Sequence, residues 1–248
     1  MNRFFGTLVL TTVLCTMSVA RQATEANPVL EKAITALGGA EKLEKIKSIT
    51  WKAKGTITFQ GMESPMTTTV TVQGLDHAKQ EFEAEFGGNK IQGVSVLAGD
   101  KGWRSFAGNK MPQENMDDEK RNLSLSVLPI TLVQLKGKGF KLATLPEEKL
   151  GEKPAMVLKV TPPKGNDFRI YFDKESGLPV RLVAKVVGFQ GEEFTQDTTL
   201  SGYKMLGGIN KATKITSKRD GEKFMEQEIT EFTTSEKEAD SKLFTEPD

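Results

Sequence analysis

The chain has 248 residues, with 34 Lys and Arg against 33 Asp and Glu, one histidine, one cysteine and 37% hydrophobic residues. This balance argues against a general nucleic-acid binder, which needs a basic excess to release counterions from phosphates. One cysteine and one histidine exclude a zinc site built from those ligands, which takes three or four. The length is enough to bury a sizeable core.

Residues 1–20 predict a secretory signal: Arg3 in a short n-region, an apolar run from Phe4 to Val19, and small residues at Ser18 and Ala20 before a cut. The run is shorter than the ~20 residues a membrane span needs. Cys15 does not fit a lipid-attachment site, because Leu14 precedes it where a small residue is expected. Cleavage after Ala20 removes the cysteine and Arg3, which leaves 33 basic against 33 acidic side chains on one domain, residues 21–248. The mature chain is expected in the periplasm or secreted, thiol-free, and held together by its core alone. Asn122-Leu123-Ser124 forms a glycosylation sequon, which matters only in a eukaryotic secretory pathway.

Asn27-Pro28 predicts a helix start, Leu30, Ala33, Ile34 and Leu37 repeat at helical spacing, and Gly38-Gly39 ends the run. A short helical turn with Ala40, Leu43 and Ile46 leads into the first strand. There Ile49, Trp51, Ala53, Ile57 and Phe59 alternate with Thr50, Lys52, Lys54, Thr56 and Thr58, the pattern of an antiparallel strand wet on one face. Met66, Thr68, Val70 and Val72 continue it. Next, Ala78, Phe82, Ala84 and Phe86 oppose His77, Lys79, Glu81, Glu83 and Glu85. A Gly87-Gly88-Asn89 turn, a strand through Val94 and Val96, and Asp100-Lys101-Gly102 before Trp103 extend the meander.

Asn115 to Leu135 opens acidic, with Asp117, Asp118 and Glu119, and ends strongly apolar, so it predicts a buried helical segment that Pro129 breaks in two. Strands resume over 140–145, 156–160, 168–172, 178–187, 195–203, 209–218 and 224–233. With no βαβ alternation, the expectation is an α+β fold: a strongly curved antiparallel sheet of roughly ten strands wrapped over a proline-broken helical lid, with an N-terminal helix.

The segments Ala36-Leu37-Gly38-Gly39-Ala40 and Ile46-Lys47-Ser48-Ile49, the Gly102-Trp103 strand, the Tyr171-Phe172-Asp173 and Ser176-Gly177-Leu178-Pro179-Val180 hairpin, and Leu243-Phe244 before Pro247 resemble the outer-membrane lipoprotein-sorting (LolA-like) proteins. The resemblance spans about the whole mature chain and rests on turn and packing motifs. It implies a half-barrel over lid helices and a hydrophobic cavity for acyl chains. Related members include lipid-binding lipoproteins and periplasmic sensors of envelope stress. It also implies a lid latched by an arginine of an early strand. No arginine lies between Arg21 and Arg104, so the first strands do not supply one.

The expected cavity lining is Trp51, Ile57, Phe59, Phe82, Phe86, Val94, Val96, Trp103, Phe106, Leu128, Leu132, Phe168, Ile170, Phe172 and Leu182, drawn from apolar faces that serve equally as plain core. His77 falls on a polar face beside Lys79 and Glu81, so a Ser-His-Asp triad has no centre. Asp117, Asp118 and Glu119 suit a helix N-terminus, and Glu81, Glu83 and Glu85 a solvated strand face, better than a calcium site. Gly137-Lys138 is followed by Gly139, which excludes a Walker loop. No catalytic residue, metal or cofactor is expected. The chain reads as a monomeric, non-catalytic carrier of a lipid or acylated lipoprotein, with peripheral or transient membrane contact. The alternative is a periplasmic sensor or interaction module that binds an envelope protein and carries no cargo.

Overall fold

Alternating apolar and polar residues carry the chain through antiparallel strands β1 (Ser48–Phe59), β2 (Met62–Gln73), β3 (His77–Phe86), β4 (Asn89–Ala98), β5 (Lys101–Phe106), β6 (Asn109–Met111), β7 (Lys141–Leu150), β8 (Lys153–Thr161), β9 (Phe168–Asp173), β10 (Pro179–Val187), β11 (Glu193–Leu206), β12 (Ile209–Arg219) and β13 (Glu222–Ser235). The computed structural model describes residues 18–59, 61–111, 115–137, 139–188 and 191–247, with side chains from Pro28 onward and without that of Phe59. The predicted signal segment through Val19 and Ala20, including Cys15, thus lies outside the described side chains.

All 13 strands join one open sheet in the order β6-β5-β4-β3-β2-β1-β13-β12-β11-β10-β9-β8-β7. Its centre is a seam between the first and last strands, where Ser48 pairs with Ser235 and Ile57 with Met225. The sheet is larger than the roughly ten strands expected. β6 is only three residues long, too short to show alternation, and Gly93 and Gly102 interrupt the pattern in β4 and β5.

Helix α1 (Ser18–Leu37) begins before the predicted Asn27 start and runs through Pro28. The proline ring fixes φ in the helical range, so it removes one donor without forcing a break at that point. Val29, Leu30, Ala33, Ile34 and Leu37 form its buried stripe, packed mainly on β7 and also on β8 and β12. The amides of Gly38 and Gly39 donate to Ile34 O at 3.3 and 3.0 Å and end the helix. Helix α2 (Ala40–Lys45) buries Leu43.

Helix α3 (Met116–Thr131) joins the two sheet edges, β6 and β7. The Asn115 side chain caps its N-terminus by accepting from the Asp118 amide at 3.4 Å. Pro129 does not break it. The helix ends three residues later at Leu132, whose φ of 60° is left-handed and whose amide donates to Leu128 O at 2.9 Å. A 3-10 turn (Val133–Lys136) follows. Pro129 forfeits the hydrogen bond its own amide would donate to Leu125 O, and the helix continues only two residues beyond it.

The β9–β10 turn fastens α1. Asp173 accepts from both the amide and the hydroxyl of Ser176 at 2.7 Å, and these bonds hold its carboxyl below the usual range. Lys32 Nζ donates to Lys174 O at 2.6 Å. Gly177 (φ 76°) lies against Lys32, where an added Cβ would come 3.0 Å from Cγ. Among the described residues no helix is long and apolar enough to cross a membrane.

Candidate ligand-binding face

Residues directly opposite in neighbouring strands share a face. Trp51 pairs with Val70 and Phe232, Val72 with Ala78, and Ala78 with Leu97, and all of these join the helices in one core. This defines the inner face, on which α1 and α3 lie.

The inner face divides in two. Where the helices cover it, Trp51, Leu128, Leu132, Phe168, Ile170, Phe172 and Leu182 are buried, four of them (Leu128, Leu132, Ile170, Phe172) with no exposure at all. Further along, Ile57, Phe82, Phe86 and Phe106 are half-buried. Ile57 pairs with Ser64 and Met225, and the Phe82 and Phe106 rings meet at 6.1 Å. Phe82 lies on Gly93, its register partner, where an added Cβ would come 2.2 Å from the ring. Gln227 Nε2 donates to Thr68 Oγ1 at 3.3 Å on the same face.

Val94, Val96 and Trp103 do not share this face. Val96 pairs with Lys79 and Trp103, and Val94 with Glu81 and Ser105, so all three point outward with His77. Val96 is nonetheless fully buried. The 3-10 turn Ser241–Phe244 packs on β3 and β4, with Phe244 edge-on to the His77 ring at 5.5 Å. The side chain of Phe59 lies outside the described residues.

Helix α3 is tied to both arms of the sheet. Arg104 of β5 forms an ion pair with Glu119, and Lys120 with Asp100 in the β4–β5 turn. The Arg104 and Glu119 side chains are 17% and 27% exposed, so water screens their pair only partly. Three residues on, Asn122 Nδ2 donates to Val187 O at the end of β10 at 3.0 Å, and Lys164 Nζ reaches Asp117 at 3.2 Å. Arg104, the first arginine after Arg21, thus ties α3 to β5.

Two further cations went unsignalled in the sequence. Arg219 lies between the rings of Phe224 and Phe194, 3.6 and 5.0 Å from their centroids, and donates to Gln196 Oε1 at 3.2 Å. Burial lowers its pKa. Lys211 is buried, 5.9 Å from the Phe232 centroid.

The outer face carries a polar groove of about 890 Å³, lined by Lys54, Thr56, Thr67, Glu83, Lys90, Lys214, Thr216, Glu226 and Glu228 among others. Two of its carboxylates, Glu63 and Glu83, are paired across strands. Glu83 accepts from Gln92 and Lys90, which hold its pKa down, and Glu63 is lowered by Lys223. Such cross-strand pairs are typical of a solvated sheet surface. Among the described residues no three His, Cys, Asp or Glu side chains are grouped to hold a metal. Asp117, Asp118 and Glu119 are occupied by Lys164, Asn115 and Arg104.

No family model and no curated protein matches the sequence. Solved structures do. A LolA superfamily protein of Nitrosomonas europaea superposes with a TM-score of 0.58 at 12% identity, over 89% of this chain and 97% of that one. The chain has a LolA-like fold. A DUF1329 family protein of Desulfovibrio piger gives 0.51 at 11% identity, over 88% and 96%. At such identities the likeness establishes the LolA-like fold, while the residues of the inner face are this chain's own.

Proposed function

We propose that the protein is an exported, non-catalytic carrier that binds the acyl part of a lipid or lipoprotein on the inner face of a half-barrel, with α3 as its lid. The observation that carries this reading is the span of α3. Glu119 and Asn122 are three residues apart, about 4.5 Å along a helix. They bind β5 and β10, which stand eight places apart in the sheet. Across a flat sheet that separation is ~38 Å, so the two contacts support a strong curl that brings the arms together over the helix. The half-buried apolar residues Ile57, Phe82 and Phe106 are then available on the same inner face. An acyl chain placed there gains about 0.8 kcal/mol per buried methylene, enough for affinity without polar chemistry.

A second reading has its own support. The half of the inner face under the helices is filled, with Leu128, Leu132, Ile170 and Phe172 fully buried. That suits an interaction module of the same fold with no cargo. Native mass spectrometry and organic extraction of purified protein, before and after incubation with a fluorescent fatty acid, separate the two. Co-purified or captured acyl chains are expected. A protein that arrives empty and takes up none would favour the module.

A further inference from the structure

Lys211 of β12 is 6% exposed, and its ammonium makes no hydrogen bond or ion pair with any described residue. An unpaired cation so placed is costly, and proteins seldom keep one without a counter-charge. Its register partner across the ladder is Lys204 of β11, so two like charges stand directly opposite. Like charges in that position weaken a ladder unless an anion lies between them. The surroundings are apolar on the other side: Lys211 faces the Phe232 ring, and Phe232 pairs with Trp51.

A paired set of lysines, one largely buried beside an aromatic ring, suits a ligand with an anionic head and an apolar body. Building on the carrier reading above, we propose that Lys211, flanked by Lys204, anchors the acidic oxygen group, carboxylate or phosphate, of the bound amphiphile. Burial lowers Lys211 to about 8, so it keeps its proton at neutral pH and offers a charged donor. Bringing in an anion replaces the counter-charge that the fold leaves out.

The test compares ligands of one chain length. Palmitate and hexadecanol are titrated into wild type, Lys211→Met and Lys204→Met, with acetate and inorganic phosphate as chainless anions. Palmitate should bind wild type about tenfold more tightly than hexadecanol. Lys211→Met should erase that preference and leave hexadecanol binding intact, and Lys204→Met should reduce the preference in part. Competition by acetate or phosphate alone would support the anion site and assign it to free small anions. Equal binding of palmitate and hexadecanol to wild type would overturn the anchor while the carrier reading stands. Binding of none of the four would overturn both.

Discussion

Leu132 is held at φ 60°, a conformation costing a side chain-bearing residue about 1–2 kcal/mol, yet it is fully buried in the core. Truncation should therefore show an inverted order. Leu132→Ala loses its buried methyl groups, about 2–5 kcal/mol, and keeps the strain. Leu132→Gly loses slightly more surface but relaxes the backbone, so it should unfold at a higher denaturant concentration than Leu132→Ala, by about 1 kcal/mol. The opposite order would mean that Leu132 is not in the left-handed region in solution.

Lys211 and Tyr203 should shape the alkaline stability profile. Below pH 8 the folded and unfolded chains both hold the Lys211 proton, and the cost of the buried ammonium is present in full. Between pH 8 and 10.5 the unfolded chain holds a proton that the folded one has released, so stability rises with pH, by up to ~3 kcal/mol. Tyr203 acts the other way. Its hydroxyl donates to Pro179 O, and burial raises its pKa, so from about pH 10 the unfolded chain ionises first and stability falls. Urea unfolding midpoints should peak at about pH 9 to 10 in wild type. Lys211→Met should remove the rise and keep the fall.

At the scale of elements, the N-terminal half of α3 is the part held by polar ties, while its C-terminal half packs in the core. Arg104→Gln removes the cation that holds Glu119 and should weaken the strap by about 1–3 kcal/mol. Because the core residues of α3 remain in place, the effect should be local opening. Amide hydrogen exchange in the N-terminal half of α3 should speed up about tenfold or more, while β1 and β13 keep their protection. Uniform acceleration across the sheet would show that the pair stabilises the whole fold and does not act as a lid tie. This ion pair also marks where sequence reading stops. The strand pattern is legible because Thr50, Lys52 and Lys54 contrast with Ile49, Trp51 and Ala53. In β4 that contrast fails, because both faces are covered. Leu97 is buried by the core and Val96 by the C-terminal turn, so nothing in the alternation said which side of Val94 and Val96 was inner. The Arg104 partner lies 15 residues away on a helix, a spacing with no sequence signature.

For the whole molecule, the seam between β1 and β13 sets the order of assembly. The strand nearest the N-terminus completes its ladder with the last strand of the chain, from Ser48 with Ser235 to Ile57 with Met225. Contacts so distant in sequence are entropically slow to form, and the two halves of the sheet meet only there. Removing residues 222–248 would leave β1 and β12 as two long unpaired edges in the middle of the structure. That truncation should abolish cooperative unfolding and cause aggregation. Removing only residues 236–248 deletes the segment that crosses the outer face, where the Ala239 amide donates to Gln73 at 3.0 Å, Phe244 packs edge-on to His77 and the Ser241–Phe244 turn lies against β3 and β4. The sheet stays complete, so this shorter chain should keep a single transition with a lower Tm. Phe244→Ala in the full-length protein should reproduce most of that shift, about 3 kcal/mol. Differential scanning calorimetry of the three variants distinguishes the outcomes. A cooperative transition in the chain ending at 221 would mean that the strands before the seam fold without their partner.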